Sequence, residues 1–150
     1  MASPRVKYIG NIPVNIDDLA TTLESPIPIP AVVAGSVPFE FVLRKVDSSR
    51  PVLSLFQAAL IPVAAVTKDT TNYVTINLIN RGTDGTGTDV IASLNTNAAS
   101  GTVPAYTETL MTVDYTKAAI KPGSVLTLSI TKTGTGQNIP YGAIILRFNQ

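Results

Sequence analysis

The segment that decides the fold is "YVTINLINRGTDGTGTDVIASL", Tyr73 to Leu94. Its first part alternates, with Val74, Ile76 and Leu78 on one side of an extended chain and Thr75 and Asn77 on the other. Period two in β-branched residues is the pattern of a strand buried on one face. A glycine-rich turn follows, and "DVIASL" then returns to apolar, β-type residues. Glycine reaches positive φ at little steric cost, so the segment reads as two strands joined by a loop.

The design recurs in "SITKTGTGQNIPYGAIILRF", Ser129 to Phe148. Neither Gly-Thr-Gly is a phosphate loop. A Walker motif runs through Gly-Lys-Ser/Thr into a helix whose first amides face the phosphate, and here each glycine pair opens onto β-type residues. A dinucleotide fingerprint fails for the same reason. Calcium is the better rival, because "TDGTGTD" sets Asp84 and Asp89 among hydroxyls and carbonyls and hard cations take several oxygen ligands. The spacing departs from an EF-hand loop, and no bidentate Glu follows. The mechanical reading leads: both loops are expected at one end of a sandwich, joining paired strands.

Outward from this segment the period persists. "VPFEFVLRKV" places Val37, Phe39, Phe41 and Leu43 opposite Glu40 and Arg44. "VLSLFQAALIPVAAVTK" alternates less well and reads as one long strand with a bulge, kink or edge position at Pro62. "AYTETLMTVDY", "VLTLSITKT" and "YGAIILRF" follow, with "KPGS" as a type II turn. Seven or eight strands and no helical period from Val37 to Gln150 give an all-β, antiparallel β-sandwich. A jelly roll is favoured over an immunoglobulin-like sandwich, whose Cys…Trp…Cys signature needs two residue types absent here. Val74, Ile76, Leu78, Leu126, Leu128 and Ile130 are expected to share one core.

Residues 1–36 differ from 37–150 and read as an extended, Pro-rich N-terminal arm ahead of the sandwich. "SPIPIPAVV" cannot be helical, since proline lacks an amide donor and holds its predecessor extended, and it cannot sit in a central strand. Its isoleucines are too apolar to be left in water. Ile9, Ile12, Val14, Ile27 and Ile29 are therefore the expected contacts with a neighbouring subunit or a capsid surface. "NIDDLATTLE", Asn15 to Glu24, is the one place where a short helix is expected, with Asn15 as N-cap.

Composition narrows the function classes. The chain has 150 residues, of which 45% are apolar and only 14% charged, with 19 Thr and 10 Ser. Net charge is +1 and the eleven basic residues are scattered, which is not the basic patch of a nucleic-acid binder. The longest apolar run, "AALIPVAAV", is too short to span a bilayer, and the N-terminus lacks the apolar core of a secretory signal. The expectation is a protein made in the cytoplasm, with neither nucleic acid nor membrane as partner. No His, Cys or Trp is present, which removes Ser-His and Cys-His nucleophiles and the usual zinc sites. A carboxylate pair would remain for glycoside hydrolysis, but the one strand-borne cluster is Asp114 and Tyr115 with Glu108. No enzyme, cofactor or small-molecule substrate is expected.

From Val52 to Phe148 the order of elements resembles the jelly-roll domains of tailed-phage virion proteins. It runs from "AAVTKDTTNYVTINLINRGTDGTGTDVIASL" through "VPAYTETL" to "IKPGSVLTLSITKTGTG" and "IPYGAIILRF". The resemblance is greatest to the head decoration, or cement, proteins. It implies a structural protein on the outside of a capsid, bound to the major capsid protein and assembled with itself as a homotrimer. An alternative is a fibre or baseplate module that recognises host carbohydrate through exposed tyrosines among Tyr73, Tyr106, Tyr115 and Tyr141.

Overall fold

The computed structural model describes residues 6–9, 12–15, 22–36 and 38–149. In chain order the strands are β1 (Val6–Ile9), β2 (Ile12–Asn15), β3 (Thr22–Ile29), β4 (Phe39–Lys45), β5 (Leu53–Pro62), β6 (Val66–Thr67), β7 (Tyr73–Asn80), β8 (Asp89–Asn95), β9 (Thr102–Val103), β10 (Thr109–Leu110), β11 (Thr112–Val113), β12 (Ala119–Ile120), β13 (Val125–Thr133) and β14 (Gly142–Asn149). One sheet has the order β10-β5-β14-β3, with β12 also on β5; the other has the order β11-β8-β7-β13-β4. All pairs are antiparallel.

The pairing is nested. β3 pairs with β14, β4 with β13, β5 with β10 and β7 with β8. Each early strand meets a late one, as in a long hairpin rolled into two layers, which is the jelly-roll arrangement. Val74, Ile76, Leu78, Leu126, Leu128 and Ile130 are all buried in one core, as their alternation predicts, with Leu53, Leu55, Leu60, Ile144, Leu146 and Phe148 from the other sheet.

The weak alternation of β5 has a local cause. Arg147 is opposite Gln57 and Phe148 is opposite Leu55, so Phe56 is the extra residue of a bulge. A bulge shifts the inward parity by one: Leu53 and Leu55 are buried before it, Ala58 and Leu60 after it. Pro62 ends the strand opposite Gly142; the irregularity expected there lies at Phe56.

The N-terminal stretch departs from the expectation of a separate arm. β3 pairs with β14 along its whole length, from Thr22 opposite Asn149 to Ile29 opposite Gly142. The sheet thus takes in residues that the boundary at 36 would exclude. β3 is an edge strand, which is where a strand tolerates proline. Pro26 and Pro28 are exposed while Ile27 is half-buried and Ile29 buried, so "PIPI" is itself a period-two strand. The helix expected over Asn15–Glu24 is not found where residues are described: Asn15 closes β2 and Thr22–Glu24 open β3, with residues 16–21 outside the described residues.

The two Gly-Thr-Gly loops lie at opposite ends, not at one. β7 and β13 are antiparallel with Asn80 opposite Leu126 and Tyr73 opposite Thr133. The first loop leaves β7 at Asn80 and the second leaves β13 at Thr133, at the far end. The first joins paired strands, β7 and β8. The second carries the chain from one sheet to the other, since β13 and β14 belong to different sheets.

Candidate interaction surface

Several charged groups of the sandwich are held by neighbouring side chains. Glu108 forms an ion pair with Arg147 at 2.8 Å, and the hydrogen bond from Arg147 holds its carboxyl below the usual range. Asp114 accepts from the Thr116 hydroxyl at 2.6 Å, which likewise lowers its pKa. The Tyr115 hydroxyl donates to the Phe56 carbonyl. Asp114, Tyr115 and Glu108 therefore serve separate partners, and the structure does not bring them together as a catalytic pair.

Asp84 accepts the Thr86 amide at 3.0 Å, an Asx turn, and Asp89 stands 3.9 Å from the Lys117 ammonium. A shallow cleft of ≈ 300 Å³ lies between this loop and the Lys121–Ser124 turn, lined by Asn80, Asp84, Asp89, Lys121 and Ser124 among others. Among the described residues no three His, Cys, Asp or Glu side chains group as a metal site.

Each outward face of the sandwich carries both polar and apolar rows. Across β11-β8-β7-β13-β4 one register row reads Thr112, Ser93, Asn77, Ser129, Glu40. Every member of this row is polar, while another outward row, Val90, Ile79, Thr127 and Val42, is mostly apolar, with Val42 65% exposed. Across β10-β5-β14-β3 the corresponding row reads Leu110, Ala59, Ile145, Pro26. Every member is apolar, and the next row adds Ile61, Ala143 and Pro28, while the row on the other side is polar, Gln57, Arg147 and Glu24, with Glu108 paired to Arg147. Ile145 alternates with Ile144 and Leu146, which point inward, yet it is itself only 7% exposed and Ala59 beside it 0%. Leu110 is 56% exposed.

The apolar rows of this sheet run into one end of the sandwich. There four turns are tied together by backbone hydrogen bonds. Val32 and Ile139 exchange amides at 2.8 Å, Val63 donates to the Tyr141 carbonyl at 3.0 Å, and Tyr106 donates to the Pro62 carbonyl at 2.8 Å. The segments involved, "PAVV", "PVAA", "VPAY" and "IPY", contain no charged residue and a proline each. Tyr106 and Tyr141 project from them, 78% and 62% exposed. Tyr106 holds φ 53°, a left-handed conformation that costs a residue with a Cβ about 1–2 kcal/mol. Tyr115 is exposed elsewhere, beside Phe56, and Tyr73 is half-buried.

The residues expected to contact a neighbour divide into two groups. Ile29 is 3% exposed and so is buried in its own sandwich, while Ile27, half-buried, packs against the same core; the reason is the pairing of β3 with β14. For Ile9, Ile12 and Val14 the backbone alone is described. β1 and β2 form a hairpin of their own, with Ile9 opposite Ile12 and Lys7 opposite Val14. Directly opposed residues share a face and alternate ones do too, so Lys7, Ile9, Ile12 and Val14 occupy one face of it. Sequence reasoning missed the cluster of Tyr106 and Tyr141. Its signal was the recurrence of charge-free, proline-bearing turns, which carry no information about meeting in space.

Comparison with known protein families, with characterised proteins and with solved structures finds no match to this chain.

Proposed function

We propose that this chain is a structural virion protein, a decoration or cement protein that binds the outer surface of a tailed-phage capsid as a homotrimer and stabilises it. It would be made in the host cytoplasm, act without cofactor and have the major capsid protein as its partner. The observation that carries the reading is the β1–β2 hairpin. It pairs with neither sheet of the sandwich, and a two-stranded hairpin of four residues per strand is at most marginally stable alone. Paired with neither sheet, it would find its stability against another surface. The six residues 16–21 that connect it to β3 can reach about 20 Å.

The test adds full-length protein and the double variant Ile9→Asp, Ile12→Asp to undecorated heads across a concentration series. Each buried side chain of this kind contributes about 1.5–3 kcal/mol, and ~1.4 kcal/mol is tenfold in affinity. The variant is expected to need at least ~10-fold more protein for half occupancy. Superimposable curves would remove the hairpin as the anchor. A carbohydrate-binding module is the second reading, favoured by the exposure of Tyr106 and Tyr141 at one end; binding of host-cell polysaccharide that is lost in Tyr106→Ala would support it instead.

A further inference from the structure

We infer that Pro26 and Pro28 close the free edge of β3 to a further strand, so that copies of this chain do not join sheet to sheet there. Among the described residues β3 pairs with β14 on one side and ends its sheet on the other. The free side of such a strand is a row of backbone donors and acceptors, which is a template for edge-to-edge association. The inference does not rest on the proposed function, and purified protein without capsids tests it.

The ladder fixes which way the prolines face. In an antiparallel pair alternate residues turn both N–H and C=O towards the partner strand, and those between turn both away. The β3–β14 register is unbroken, with Pro26 opposite Ile145 and Pro28 opposite Ala143. Proline has no N–H, so an unbroken ladder assigns its bonds to Ser25, Ile27 and Ile29 and turns Pro26 and Pro28 outward. From Ser25 to Ile29 the free side therefore presents carbonyl oxygens and no donor. A strand laid against it could donate to those oxygens, but its own carbonyls would face proline rings. A buried carbonyl left without a donor costs about 1–3 kcal/mol.

The other sheet edges are blunted by other means. β10, β11 and β12 are two residues long. β4 has seven residues, but it carries Glu40, Arg44 and Lys45 and a bulge against β13. Short length, charge and bulges each disfavour edge pairing. β3 has eight residues in regular register, and residues 25–36 carry no charge. A long, apolar, uncharged edge is the kind that stacks between copies, and proline is what breaks that pattern. Here the two prolines stand at successive outward positions, where each removes a donor from the free side and none from the ladder.

The test restores the donors in the full-length chain. The variant Pro26→Thr, Pro28→Thr and the variant Pro26→Thr, Pro28→Lys are compared with the wild type by light scattering over a concentration series and by thioflavin T fluorescence, each checked by circular dichroism for retained sheet. Both variants lose the stiffness of the prolines equally, but the second sets a lysine on the edge, where charge opposes pairing. The threonine variant is expected to exceed the wild-type mass by at least ~2-fold, the step for one copy pairing with another, and to rise further with concentration and bind thioflavin T. The lysine variant is expected to keep the wild-type mass. If the threonine variant melts below the assay temperature, the single change Pro28→Thr, which restores one donor, is read in the same way. A folded threonine variant with the wild-type mass at every concentration would overturn the inference. Equal association of the threonine and lysine variants would also overturn it, since lost stiffness and not strand pairing would then be the cause.

Discussion

Arg81 and Glu40 lie 41 residues apart in the chain and meet as a bidentate ion pair, with Arg81 Nη2 2.6 Å from each carboxylate oxygen. The same guanidinium donates from Nη1 to the Gly87 carbonyl at 3.0 Å, and Thr127 donates its hydroxyl to Glu40 at 2.5 Å. One carboxylate thus joins edge strand β4 to β13 and, through Arg81, to the first glycine loop. The pair is partly exposed, so solvent screening limits its worth. Arg81→Ala is expected to cost about 1 kcal/mol in chemical denaturation, with the largest loss of amide protection in the loop 82–88. Unchanged protection there would mean that the loop holds itself.

Stability should fall on the acid side and not on the neutral side. Arg81 first, and Thr127 second, hold Glu40 below the usual carboxylate range; Glu108 is lowered by Arg147 and Asp114 by Thr116. A carboxylate with a depressed folded pKa adds stability above its unfolded pKa, and that share is lost as pH falls through the folded value. No histidine titrates near neutrality. The melting temperature is expected to be level between pH 6 and 8 and to drop progressively below about pH 4.5, where unfolded carboxylates begin to take up protons. A rise on acidification would contradict the sign.

Gly142 and Gly85 separate two uses of glycine. A Cβ on Gly142 would sit 2.1 Å from the Ile61 carbonyl oxygen, inside a sheet held by β5 on one side and β3 on the other. At Gly85 nothing lies within 4 Å and the demand is only φ +79°. Gly85→Ala is expected to cost about 1–2 kcal/mol. Gly142→Ala should exceed about 3 kcal/mol, because backbone must part to admit the methyl. Equal melting shifts would refute the close approach at Ile61.

Truncation should distinguish the hairpin from the edge strand. Removing residues 1–15 leaves β3 intact and is expected to preserve the sheet spectrum and cooperative melting. Removing residues 1–36 strips β3 from β14 and takes Ile29 and Val32 out of the core. It is expected to yield aggregated or unfolded protein. A monodisperse, cooperatively melting 37–150 fragment would show that β3 is an accessory to the sandwich.

Period two was legible because it is local. Val74, Ile76 and Leu78, and Leu126, Leu128 and Ile130, needed no knowledge of their partners to be placed on one face. β5 was hard to read because the bulge at Phe56 changes its parity midway. In "SPIPIP" the prolines masked an alternation equally regular to that of β7. A ban on proline holds for central strands, and position at an edge is settled by what lies beside the strand.

The strands and inward faces of β7 and β13, and the absence of His, Cys and Trp, were thus determined by the sequence alone, since each follows from side chains within a few residues or from residue types absent altogether. Tertiary structure decided that β3 belongs to β14, that the two glycine loops lie at opposite ends, that Ile27 and Ile29 pack on their own core, and that Tyr106 and Tyr141 stand on turns tied together at one end. Those depend on pairings between residues far apart in the chain, such as Thr22 with Asn149 and Val32 with Ile139. Such pairings are selected by the packing of the whole core against the entropy of loop closure, which no local pattern encodes.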